Sequence, residues 1–108
     1  MLDIFEIAIG CCERVGPLAE RISARDRSLA DQLRRAMASV AMNVAEGAGS
    51  QGGNKRVRYF TALGSAREVD AALRVAVAFG YVGPIEEGLA RDLDRVAAAL
   101  WRLTHPRR

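Results

Sequence analysis

Residues 28–53, SLADQLRRAMASVAMNVAEGAGSQGG, constrain the fold more than any other stretch. Leu29, Leu33, Ala36, Val40, Val44 and Gly47 recur at steps of four, three, four, four and three. That spacing puts all six on one face of an α-helix and on no single face of a strand. Arg34, Arg35, Ser39, Asn43 and Glu46 fall mainly off the stripe. Ser28 is the expected N-cap, accepting from the backbone N–H three residues on, with the Asp31 carboxylate in the positive first turn. Glycines at 47, 49, 52 and 53 then remove helical preference and end the helix.

The flanking segments repeat this period. Phe5, Ala8, Cys12, Val15, Ala19 and Ile22 alternate steps of three and four, which predicts a first helix over 3–24. Gly16-Pro17 interrupts it, and a proline that lacks an N–H and crowds the preceding turn predicts a kink or a break. The second helix is expected over 29–48, followed by a loop over 49–53. Asn54 is the expected cap of a third helix over 55–79. Its seam is Ala62, Ala66, Val69, Leu73, Ala76 and Gly80, with Tyr59, Phe60, Leu63 and Val77 beside it. Gly80 is the expected stop. Gly83-Pro84 opens a fourth helix, with Glu86 and Glu87 in its first turn. Ile85, Leu89, Leu93, Val96, Leu100 and Leu103 form its stripe, with Trp101 near the end and a fraying tail over 105–108. No segment alternates at period two between turn signals. The expected fold class is therefore all-α: one domain, 1–108, built as an antiparallel up-down-up-down four-helix bundle. A chain of 108 residues buries a core without disulfide or metal. Counting the 10 glycines and leaving out the 2 tyrosines, about 57% of the chain is apolar against a usual ~45–50%, a surplus that points to an oligomer interface.

Charge is unevenly spread. Residues 27–67 hold seven basic side chains against two acidic ones, whereas the first 26 residues carry a slight acidic excess and 68–108 balance. A basic centre fits a phosphate-bearing partner, and it equally fits a solvated face laced with helix salt bridges. Cys11 and Cys12 are adjacent, so they form no disulfide framework and complete no metal site. Packed, reduced thiols and a cytoplasmic location are the expectation. Asp3 and Glu6 interrupt the N-terminus where a signal peptide needs a basic start and an apolar run. The longest apolar run, 75–82, is too short for a bilayer, so no membrane is expected as a partner.

Chemistry is hard to assemble from these residues. Gly47-Ala48-Gly49-Ser50-Gln51-Gly52 spells G-x-G-x-x-G, but a helix precedes it and no sheet surrounds it. The single histidine, His105, lies in the tail, which leaves serine and cysteine nucleophiles without a base and a di-iron site without ligands. No catalytic residue, cofactor or metal is expected. Lys55, Arg56 and Arg58 cluster in the expected first turn of helix three, where cations oppose the helix dipole. An anion held at that end explains the choice, as does pairing with Glu46 or with another chain's acids. Tyr59 lies alongside and is able to stack on a base. Asn43 and Glu46 on helix two, with Ser65 and Glu68 on helix three, come to comparable heights if the two helices are antiparallel. Arg34, Arg35 and Arg67 are placed to neutralise the carboxylates. A structural polar network that fixes register is the favoured reading of these four.

At these residues the chain resembles a known family. Gln32-Leu33-Arg34-Arg35-Ala36, Ser39-Val40 and Asn43-Val44-Ala45-Glu46-Gly47 are similar to the signature of the bacterial proteins encoded in intervening sequences of large-subunit ribosomal RNA genes, once labelled S23 ribosomal proteins. Arg58-Tyr59-Phe60, Ala62, Gly64-Ser65, Glu68 and Phe79-Gly80-Tyr81 resemble its second half. The resemblance implies a four-helix bundle, commonly a ring-shaped homopentamer, without catalytic activity. It also implies kinship to the accessory variability determinant of diversity-generating retroelements, a basic pentameric barrel that binds reverse transcriptase and nucleic acid. Gly16-Pro17 departs from that family's uninterrupted first helix. The expected function is a non-enzymatic oligomeric scaffold contacting RNA or DNA through Arg34, Arg35, Lys55, Arg56 and Arg58. Its partners would be reverse transcriptase or ribosomal RNA. The alternative is a protein–protein adaptor or structural oligomer with no nucleic-acid role.

Overall fold

A computed structural model describes residues 3–107. Four helices account for nearly all of them: α1 (Ile4–Ser23), α2 (Arg27–Ala48), α3 (Gly52–Ala78) and α4 (Glu87–Thr104). No strand occurs among the described residues. Three residues separate α1 from α2 and three separate α2 from α3. Links that short leave side-by-side antiparallel packing as the only compact solution. The cross-helix contacts run accordingly, partner numbers falling on one helix as they rise on the other. Ser39 meets Ser65 and Glu46 meets Arg58 across α2 and α3. Cys12 meets Met37 and Glu20 meets Arg34 across α1 and α2. Each helix packs on two neighbours around the bundle, and α2 with α3 is the most extensive pair. The body measures 44 × 24 × 21 Å.

The stripes converge on one core. All six stripe residues of α2 are buried, from Leu29 to Gly47. In α1 the buried face is Ala8, Cys11, Val15, Ala19 and Ile22, so Cys11 lies deeper than the expected Cys12. Burial pushes the Cys11 thiol up to about 11. The expected break at Pro17 is absent, and the helix runs through. Pro17 and Glu13 are both exposed, so the carbonyl that loses its partner faces water instead of the core. Arg14 joins α1 to α4 by a 2.7 Å bond from Nη2 to Oδ2 of Asp92. That hydrogen bond holds the Asp92 carboxyl below its ordinary value.

Helix boundaries depart from the sequence reading in three places. The α2 N-cap is Asp26, not Ser28; its Oδ1 accepts from Leu29 N at 2.9 Å, and Ser28 is inside the helix. Asn54 does not cap α3, which begins two residues earlier at Gly52 (φ +59°), after Gln51, whose side chain makes no capping bond. Pro84 does not open α4. Glu86 is its N-cap, accepting from Gly88 N at 2.6 Å and Leu89 N at 3.1 Å, and these bonds lower the Glu86 pKa. Ile85 stays outside the helix and lines an apolar groove with Ala90, the spacing of a hydrophobic staple. Gly80 does stop α3. At φ +74° it closes a Schellman turn, Gly80 N donating to Val77 O and Tyr81 N to Ala76 O. Toward the end of α4, Leu103 is exposed and Thr104 is buried in its place, its hydroxyl donating back to Leu100 O at 2.8 Å.

Candidate functional site

The flank between α2 and α3 carries a ladder of polar contacts. Ser39 Oγ and Ser65 Oγ lie 2.7 Å apart, and Asn43 Nδ2 donates to both the carbonyl and the hydroxyl of Ser39. Asn43 is nine-tenths buried, and among the described residues no buried side-chain N or O lacks a partner. One turn along α2, Glu46 pairs with Arg58 at 3.5 Å. Next to it the Tyr59 ring lies on Gly47: a methyl group there would come within 2.6 Å of Cε1. In the opposite direction, Arg35 and Glu68 open onto a shallow cleft of about 410 Å³, with Gln32, Ala36, Ser39 and Ser65 on its walls. The fold therefore joins Asn43 to Ser65 through Ser39, gives Glu46 to Arg58, and puts Glu68 across the cleft from Arg35. The neutralising roles expected of Arg34 and Arg67 are not seen: Arg34 pairs with Glu20 at 3.1 Å and Asp31 at 3.6 Å, and Arg67 has no ion pair among the described residues.

The five basic positions fall into two groups at different heights. Arg34 and Arg35 project from the first half of α2, opposite the middle of α3. Lys55, Arg56 and Arg58 lie at the start of α3, beside the end of α2. Arg34 and Arg58 are occupied by carboxylates. Arg35, Lys55 and Arg56 have no carboxylate partner among the described residues.

At the α3 start, the chain beyond α4 folds back as a C-terminal wall. Lys55, Arg56, Tyr59, Leu103 and Pro106 line a hollow of about 300 Å³ with Gly52 at its edge. Arg56 donates to the Thr104 carbonyl at 3.4 Å and lies over the Phe60 ring, 5.4 Å from its centroid. Phe60 meets His105 edge-on at 5.7 Å, and His105 stacks on Trp101 at 4.3 Å and 8°. The expected fraying of the tail does not reach His105, which caps α4; Arg108 lies outside the described residues. The expected stacking role of Tyr59 is not available to an exposed base, because that ring is buried against Gly47. Phe60 and Trp101 are the exposed rings at this end. Sequence reading missed this surface, though a signal existed: residues 52–60 and 100–107, which meet here, hold five basic residues and no acidic one.

The G-x-G-x-x-G run is the end of α2 and its turn. Gly49 N donates to Ala45 O and Ser50 Oγ to Glu46 O, with no strand before it. No cluster of three or more metal-ligating side chains occurs among the described residues, and none of the described helices is long and apolar enough to cross a membrane.

These features define a four-helix bundle with a polar ladder on one flank and a basic, aromatic cluster where the start of α3 meets the end of α4. The model of the 23S rRNA-intervening sequence protein family matches residues 1–102, and the chain belongs to that family. Its fold is that of a crystallised protein of unknown function from the S23 ribosomal protein family of Bacteroides thetaiotaomicron VPI-5482. The TM-score is 0.84 at 16% identity, over 94% of this chain and 98% of that one. No curated protein sequence matches the chain.

Proposed function

We propose that the protein is a non-enzymatic, oligomeric helical scaffold that binds RNA or DNA through its basic surface, as an accessory to ribosomal RNA or to a reverse transcriptase. The observation that carries this reading is the start of α3. There Lys55 and Arg56 stand without carboxylate partners over a helix end that Gln51 leaves without a side-chain cap. Cations at that end oppose the helix dipole, and a phosphate placed between them and the free N–H groups reverses the penalty. Arg35 supplies a second contact further along the flank. Retention of labelled RNA or DNA on a filter at low salt tests the proposal, and affinity should fall steeply as salt is added. Absence of retention at low salt rejects it.

A second reading, a protein–protein adaptor or structural oligomer, is favoured by a different observation. The face of α3 turned away from the core is also apolar: Val57, Gly64, Ala71 and Val75 are all exposed. Such a stripe fits burial against further copies, and a homopentameric ring is the arrangement we favour. Light scattering of the purified chain measures the subunit number, and a monomer at all accessible concentrations removes the ring.

A further inference from the structure

We infer that the end of the bundle formed by Phe60, Trp101 and His105 is a stacking platform for unpaired bases, so that the nucleic acid bound there is single-stranded. The inference rests on the nucleic-acid reading above and narrows it to one substrate class.

The platform is already assembled in the free chain. His105 Nδ1 lies 3.0 Å from the Trp101 carbonyl, which only accepts, so Nδ1 carries the proton and donates. The same nitrogen sits 3.0 Å from Thr104 Oγ1, whose side chain is fully buried. The imidazole is thereby held flat on the indole, and Phe60 meets the imidazole edge-on. One indole face is covered in this way, yet 49% of Trp101 stays exposed, as does 41% of Phe60. Large rings held rigid and half in water contribute nothing to the core of the protomer, and a ligand that stacks on them finds their ordering entropy already spent.

Charge selects the occupant. The first turns of α3 and the last turns of α4, which meet here, carry no acidic side chain, and Glu46 at the end of α2 is paired with Arg58. Lys55 and Arg56 lie on one side of the rings and Arg102 in the same turn as Trp101. A symmetric contact with the same end of another copy would bring like charges together. A strand of nucleic acid offers phosphates to the cations and π-faces to the rings at once. A duplex offers only the phosphates, because its bases are stacked on one another.

Trp101 is the only tryptophan, so its emission reports on this site alone. The experiment titrates the whole chain at low salt with labelled oligo(U), then with an RNA duplex of equal length, reading anisotropy of the label and emission of Trp101 together. Oligo(U) should quench Trp101 saturably along the anisotropy curve, and the duplex should bind roughly ten-fold or more weakly. Trp101→Ala and Phe60→Ala, checked for helicity and subunit number, should each weaken oligo(U) by roughly 5- to 100-fold. Binding of oligo(U) with Trp101 emission unchanged, or equal affinity for the duplex, overturns the stacking platform and leaves the nucleic-acid reading in place. Loss of the oligomer in both variants, with unaltered protein showing no quenching, assigns the rings to a contact between copies and overturns it as well. No binding of either probe overturns both.

Discussion

Helices α3 and α4 lie side by side, yet their sequences obey different rules. In α4 the local choices before the last turn serve the protomer, the exposed Trp101 and Leu103 being the exceptions. Glu86 caps the start, Glu87 sits in the first turn, Arg102 sits in the last, and the apolar residues Leu89, Val96 and Leu100 form one buried stripe. In α3 the choices conflict. Its start lacks a side-chain cap, its first turns carry Lys55, Arg56 and Arg58, and its apolar residues face both inward and outward. A chain folds well when its levels agree, and disagreement concentrates where something other than folding is being served. The comparison therefore teaches that α4, up to its last turn with the exposed Trp101, is explained by the protomer alone, whereas α3 is explained only with a partner in place.

Paired substitutions test that contrast most strongly. Leu100→Ala removes a fully buried side chain from α4 and should cost about 2–5 kcal/mol in urea unfolding. Val75→Ser on the outer face of α3 should change protomer stability by no more than about 0.5 kcal/mol. It should instead lower the mass seen by light scattering. Equal, concentration-independent losses for both variants would put the outer stripe of α3 in the protomer's own service and break the contrast.

The inner face of α3 gives the next effect. Gly47→Ala forces a methyl group against the Tyr59 ring, an overpacking cost of about 1–3 kcal/mol, offset by about 1 kcal/mol of helix propensity. A net loss of up to about 2 kcal/mol is expected, and Gly47→Ala with Tyr59→Leu should recover much of it. A stable single variant would mean that α2 and α3 separate at no cost at this level.

Asp26→Ala should follow at about 1 kcal/mol, the usual worth of an N-cap. The same residue shows what the sequence hid. Both Asp26 and Ser28 satisfy the pattern of a short polar side chain ahead of an apolar period. The choice between them is made by contacts distant in sequence or outside the pattern: Asp26 Oδ2 accepts from the Tyr81 hydroxyl at 3.3 Å, and Asp26 N donates to Ile22 O at 2.7 Å. Period, by contrast, is a local property, and it placed the four helices, the α2 stripe and the Gly80 stop. The α4 start was missed because Pro84 is a strong local signal, while Glu86 acts through a bidentate reach that pattern alone does not rank. At the candidate site, the cations and the pairing of Asn43 with Ser65 at one level were readable from spacing and charge, whereas the linking Ser39 and the separation of Glu46 from Glu68 were not. The Phe60–His105–Trp101 group was not. It depends on α4 returning to the start of α3 and on Thr104, rather than Leu103, turning inward.

Acid titration should separate the two helices again. Glu86 and Asp92, both on the α4 side, have pKa values lowered from 4.5 and 3.8 by backbone hydrogen bonds and by Arg14 respectively. A lowered folded-state pKa means that the unfolded chain binds protons first as pH falls. Their stabilisation is thus complete above about pH 4.5 and lost as pH drops through the lowered values. Asp92→Asn should flatten that part of the stability profile by lowering stability at neutral pH, modestly because the pair is partly solvated, while leaving the acid limb nearly unchanged. A profile unchanged by Asp92→Asn would remove the Arg14–Asp92 pair from the account of α4.

The smallest expected change in stability carries the sharpest statement about α3. Lys55 lies at the end of the first turn, where a negative charge suits the helix dipole and a positive one opposes it. Lys55→Glu should therefore raise protomer stability, by about 0.5 kcal/mol at low ionic strength. It should also abolish filter retention of RNA, because it places a carboxylate in the hollow shared with Arg56. Gain in one property with loss in the other is what distinguishes a residue kept for a partner from one kept for the fold. If Lys55→Glu destabilises the chain, its cation has a structural counter-charge, and α3 would then obey the same rules as α4.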